Sequence, residues 1–109
     1  MPGKGDVGHS FLQFVLDQLA GVRAVEARAM FGGHGLYADG KFFAIVHRGR
    51  LYFRVDKPSR TDFEIRGMEP FRPRSRQTLG AYYEVPSEVA EDAAELARWA
   101  RRAVAARRG

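Results

Sequence analysis

Two dipeptides, Asp39-Gly40 and Arg48-Gly49, flank the apolar run Phe42-Phe43-Ala44-Ile45-Val46, and this arrangement limits the available folds more than any other feature. Both central residues of a type I′ turn need positive φ, so each dipeptide predicts a two-residue hairpin. Two hairpins in succession make three neighbouring strands antiparallel: Leu36-Tyr37-Ala38, then Lys41 to His47, then Leu51 to Val55. In the last of these Leu51, Phe53 and Val55 alternate with Tyr52 and Arg54, the period-2 pattern of a strand with one covered face. The run from Phe42 to Val46 lacks polar alternation, which predicts a central strand covered on both sides. Upstream, Glu26 to Phe31 also alternates, and Gly32-Gly33-His34-Gly35 interrupts it as a bulge or turn would.

Helical signals frame these strands. Ser10 with Gln13 forms a capping-box pattern ahead of Phe11, Leu12, Val15, Leu16 and Leu19, predicting a helix over Phe11 to Ala20 that Gly21 ends. Asp56-Lys57-Pro58-Ser59 reads as a turn into a short helix from Ser59 or Arg60 to Arg66, stopped by Gly67. Arg72-Pro73-Arg74-Ser75-Arg76 reads as a basic, proline-interrupted loop, Ala81 to Val85 as a further strand, and Pro86 to Val89 as a helical turn. Asp92 and Glu95 form a second capping box before a helix striped by Leu96, Trp99, Ala100, Ala103 and Val104. The order α-β-β-β-α-β-α predicts an α+β domain of two layers, an antiparallel sheet of about four to five strands with helices packed on one face. At 109 residues there is room for one core, assigned to residues 10–109 after a flexible, glycine-rich N-terminus over 1–9.

Several chemistries are excluded. There is no cysteine, and therefore no disulfide, thiolate metal site or cysteine nucleophile. The longest uninterrupted apolar run is Phe42 to Val46, too short for a signal peptide or a membrane span, so a cytoplasmic location is expected. The net charge of +5 belongs to the end of the chain: Arg98, Arg101, Arg102, Arg107 and Arg108 fall in the last twelve positions, which hold no acid. Setting those five aside leaves 13 basic and 13 acidic residues, so no broad DNA-covering face is expected.

The candidate sites are few. Gly32-Gly33-His34-Gly35 lacks the Gly-Lys-Ser/Thr ending of a phosphate loop and precedes a strand, so it reads as backbone geometry. His9, His34 and His47 have no metal-ligand spacing, and no metal or cofactor is expected. Ser10, Ser59, Ser87, Asp39, Asp92 and Glu95 are absorbed by caps and turns, leaving no catalytic set. An enzyme would need a deep pocket in which His34, His47 or Tyr37 converge. Arg98, Arg101 and Arg102 lie opposite the apolar stripe of the last helix, while Arg72, Arg74 and Arg76 stand beside Tyr82 and Tyr83. These six arginines are the candidates for contact with a partner or with phosphate.

The order of motifs is also familiar. Met30-Phe31-Gly32-Gly33, Gly35-Leu36-Tyr37, Asp39-Gly40-Lys41-Phe42-Phe43-Ala44 and Leu51-Tyr52-Phe53-Arg54-Val55-Asp56, followed by Pro70-Phe71, Tyr82-Tyr83-Glu84-Val85-Pro86 and Trp99-Ala100-Arg101-Arg102, resemble the N-terminal domain of the bacterial TfoX (Sxy) family of competence regulators. The resemblance implies a two-layer fold of that type, here expected as a stand-alone domain without the helical C-terminal domain that follows it in better-known members. There the full protein is a positive regulator of DNA-uptake genes, acting with the cyclic-AMP receptor protein. It carries over no catalytic residue, and its motif positions Met30, Phe31, Gly32, Gly33, Gly35, Asp39 and Gly40 read as structural. The function expected is a non-enzymatic regulatory domain that binds another protein, such as a transcription factor. Weak nucleic-acid binding through the basic loop and last helix is the alternative, and a small-molecule enzyme the third. A homodimer would cover the edges of so small a sheet.

Overall fold

In the computed structural model, which describes residues 7–30, 32–74 and 77–106, ten elements follow one another: α1 (Val7–Gln18), β1 (Val25–Met30), β2 (Gly33–Ala38), β3 (Lys41–His47), β4 (Arg50–Arg54), α2 (Lys57–Ile65), β5 (Pro70–Arg74), β6 (Gln77–Glu84), α3 (Ser87–Ala90) and α4 (Ala93–Ala105). The strands form one antiparallel sheet in the order β1-β2-β3-β4-β6-β5. The fold is therefore α+β with an open six-stranded sheet, one strand beyond the expected range.

The two glycine turns form as their chemistry requires. Asp39 and Gly40 have φ of 52° and 81°, and Arg48 and Gly49 have 51° and 74°. Between them β3 departs from simple alternation at a bulge, where Leu36 faces Ala44 but Tyr37 faces Phe42. The extra residue, Phe43, lets Phe43 and Ala44 both join the core under the helices, while Ile45 joins a cluster on the other face. That is the physical reason the run reads as uniformly apolar. Gly33 is needed for a different reason: a Cβ there would run into the Val46 carbonyl oxygen of β3.

The first core lies between the sheet and all four helices. Val15 and Leu19 of α1, Phe63 of α2, Val89 of α3 and Leu96, Trp99 and Ala100 of α4 pack on Leu36, Phe43, Phe53 and Tyr83. α2 starts two residues earlier than expected, because its N-cap is Asp56. The Asp56 carboxylate accepts from the Ser59 backbone N–H at 3.0 Å, and the Ser59 Oγ accepts from the Asp56 N–H at 3.0 Å. At the other end Gly67, with φ of 74°, lets the Met68 N–H donate to the Phe63 carbonyl, so the helix ends there. The Ser59 N–H and then its hydroxyl hold the Asp56 carboxyl below the usual carboxylate range. Its contribution is thus present above the unfolded carboxylate pKa of about 3.9 and disappears as pH falls through the lowered folded value. Asp56→Ala is expected to cost about 1 kcal/mol in denaturant unfolding near pH 7, and the gap from the parent should close toward acid pH. A pH-independent difference would contradict this account.

Two expectations are corrected. Helix α1 begins at Val7, so Ser10 lies inside it and does not cap it, and three residues assigned to a flexible N-terminus are helical; residues 1–6 lie outside the described residues. The segment read as a basic loop is strand β5 and its turn into β6, which itself starts at Gln77 and not near Ala81. The prolines obscured it. β5 is an edge strand paired only to β6, so the missing N–H groups of Pro70 and Pro73 are tolerated there, with register irregularities beside Phe71. Phe71, fully buried, packs with Tyr52 at 4.7 Å and edge-on to His47 at 5.2 Å, closing a second, smaller core with Ile45 and Tyr82 on the face away from the helices.

Candidate functional site

The arginines singled out from the sequence do not come together. Arg72 lies on β5, where Nη1 donates to Glu69 at 2.9 Å and Nε to Thr78 at 3.3 Å. Arg74 is exposed at the end of the same strand, and Arg76 lies outside the described residues. On α4, Arg98 is paired to Glu95 one turn back. Arg101 donates to the Gly21 carbonyl at 3.1 Å, and Arg102 to Asp62 of α2 at 2.6 Å. The principal contacts of β5 are with β6, whereas those of α4 are with β3, β4 and α3. Three of the five described members, Arg72, Arg98 and Arg102, are in ion pairs and Arg101 is spent on a backbone carbonyl. Strand alternation also separates Tyr82, in the second cluster, from Tyr83, in the main core.

The motif positions fall in the β1–β2–β3 hairpins. The Met30 side chain fills the space that a Cβ at Gly35 would need, beside Phe42. Gly32 has φ of 75° in the turn between β1 and β2, and Phe31 lies outside the described residues. Tyr37 stacks on Phe42 at 5.1 Å, while His47 meets Phe71, and the alternation around Gly35 turns His34 toward the opposite face. Among the described residues no group of three or more His, Cys, Asp or Glu stands together in a metal-binding arrangement. No helix among the described residues is long and apolar enough to cross a membrane.

Two surface clefts, at opposite ends of β4, hold what the sequence reading missed. The first, about 390 Å³, lies where α1 meets β4, β6 and α3, and its apolar wall is Phe11, Phe14, Leu51, Met68, Val85 and Pro86. Phe14 is 40% exposed and stacks on Phe11 at 6.2 Å. Ion pairs Arg50–Glu84 (3.0 Å) and Arg66–Glu88 (3.7 Å) rim this groove. The second cleft, about 450 Å³, opens at the far end of β4 between Phe42, Arg54, Lys57, Arg60 and Tyr82. Away from both clefts, burial first, then the Glu84 charge, pushes the Tyr52 hydroxyl above its ordinary value. Burial and a hydrogen bond to Glu64 do the same for Tyr83.

A meandering antiparallel sheet with its helices on one face and a small aromatic core on the other defines a two-layer α+β domain. A family model for the TfoX N-terminal domain matches residues 17–107, and the chain belongs to that family. No curated protein matches it.

Proposed function

We propose that this domain is a non-enzymatic regulatory module that works in the cytoplasm and binds a protein of the transcription apparatus through the apolar groove beside α1. The observation that carries this reading is Phe14, a large apolar side chain that is 40% exposed and stacks on Phe11 at the lip of a groove walled by Met68, Leu51 and Val85. Exposed aromatic anchors beside a pre-formed apolar groove are typical of protein-binding surfaces. Two ion pairs neutralise most of the rim and leave Glu91 as its one further charge, so the partner that fits is an amphipathic segment with apolar residues to insert and few acidic ones. Membership in the TfoX N-terminal domain family supports a regulatory role and directs the search to transcription proteins.

The test compares two baits in a pull-down from the source cell, the parent chain and Phe14→Glu. The parent is expected to retain a transcription protein that the variant loses by tenfold or more, roughly the loss of one hot-spot anchor. Recovery of no transcription protein, or equal recovery by both baits, would overturn the proposal. Circular dichroism should show the variant folded, because a charge at this exposed position leaves the core intact.

A further inference from the structure

The cleft at the other end of β4 concentrates positive charge that folding does not use. Among the described residues six arginines form ion pairs: Arg28, Arg50, Arg66, Arg72, Arg98 and Arg102. Arg54, Lys57 and Arg60 are in none of them, and all three line this one cleft. Lys41 is likewise outside the ion pairs and lines an adjoining groove that shares Phe42 and Arg54 with the cleft. Among the described residues the one acid in the lining is Asp56, whose carboxylate accepts from both the N–H and the hydroxyl of Ser59.

Stability does not account for this arrangement. Lys57 and Arg60 stand within the first four residues of α2, at the end of a helix where cations oppose the dipole. The Nε of Arg60 is buried with no hydrogen-bond partner. A buried N–H left without an acceptor costs about 1–3 kcal/mol, so the position of Arg60 is not one that stability selects. Three cations stand around one cleft against the single carboxylate of Asp56, so the lining keeps an excess of positive charge whose self-repulsion a bound anion would relieve.

The opposite wall is aromatic. Phe42 lies 5.2 Å from Tyr82, so β3 and β6 contribute adjoining rings next to the cations, with Tyr37 stacked behind Phe42 at 5.1 Å. At about 450 Å³ the cleft is within the size range of small-ligand sites, roughly 300–1,000 Å³. We infer that the cleft binds a nucleoside phosphate, with the phosphate held by Arg54, Lys57 and Arg60 and the base laid along the Phe42 and Tyr82 wall. Guanidinium forks match phosphate oxygens in pairs, and an aromatic wall accepts any base. The unit is either a free nucleotide or one residue of a single strand, whose next phosphate Lys41 is placed to meet. The site is separate from the groove beside Phe14, and neither reading depends on the other.

Fluorescence anisotropy of the full chain with a labelled oligothymidylate at low salt tests this, with unlabelled AMP and inorganic phosphate as competitors. Binding is expected to weaken steeply as salt rises, by about 0.7 log units per tenfold salt for each phosphate contacted. Arg54→Gln/Lys57→Gln, two accessible positions, should weaken it about tenfold or more, whereas Arg72→Gln/Arg98→Gln should change it less than about twofold. Displacement by AMP identifies a free-nucleotide site. Retention of the oligomer against AMP identifies a strand site. The proposal is overturned if neither ligand binds at low salt, if both double variants lose binding equally, or if inorganic phosphate competes as well as AMP.

Discussion

Trp99→Ala is expected to lower the unfolding free energy by about 3–5 kcal/mol, the largest loss from any single helix position. Trp99 is 4% exposed and sits where α4, α2 and the sheet meet. Phe63 meets it edge-on at 4.9 Å, its Nε1–H donates to Glu95 at 3.2 Å, and the guanidinium groups of Arg66 and Arg102 stand over its ring at 5.1 and 5.6 Å. Truncation removes a large apolar volume, leaves Phe63 against a void and deprives two cations of the ring they cover. Domains of this size are stable by only about 5–15 kcal/mol, so the variant should be marginal at 25 °C. Trp99→Phe should recover part of the loss by keeping the ring. Urea unfolding of the three proteins measures it, and a loss below about 1 kcal/mol for the alanine variant would show that the junction repacks.

The second large effect is at Phe71. Phe71→Ala should cost about 3 kcal/mol, because a fully buried ring is removed from a cluster with few other members. Its consequences should be local. β5 is an edge strand held to β6 through an irregular register, and Phe71 is what anchors it against Tyr52 and His47. Amide exchange should therefore accelerate in β5 and β6 while α4 and β3 keep their protection. Uniform acceleration across the domain would mean that the two cores unfold as one unit and that the second face has no separate stability.

The helical and hairpin framework was legible because its signals are local. Asp39-Gly40 sets a turn through φ alone, and Leu96, Trp99, Ala100 and Ala103 show their shared face by spacing. β5 was not legible, because Pro70 and Pro73 are normally evidence against a strand and become acceptable only at a sheet edge. The start of α1 was missed for a related reason. Ser10 makes a good cap pattern, yet the helix runs on through it to Val7. The candidate arginines stand out by their density along the chain, and density is not availability. Arg72, Arg98 and Arg102 have carboxylate partners, two of them three residues away in sequence and one supplied by α2. Arg54, Lys57 and Arg60 are less conspicuous, but a signal was present. Lys57 and Arg60 carry the wrong charge for the start of a helix.

By itself, then, the sequence determined the antiparallel meander around Phe42 to Val46, the α4 stripe and the likeness to the TfoX N-terminal domain. These follow from turn chemistry, residue spacing and motif order. The tertiary structure alone decided that Phe43 and Ala44 share a face, that Phe71 closes a second core, and which cations are left without a carboxylate. Those outcomes depend on strand register and on groups brought together from distant segments, such as Arg102 with Asp62, forty residues apart. Periodicity describes one element at a time, whereas pairing across elements exists only once the chain has folded.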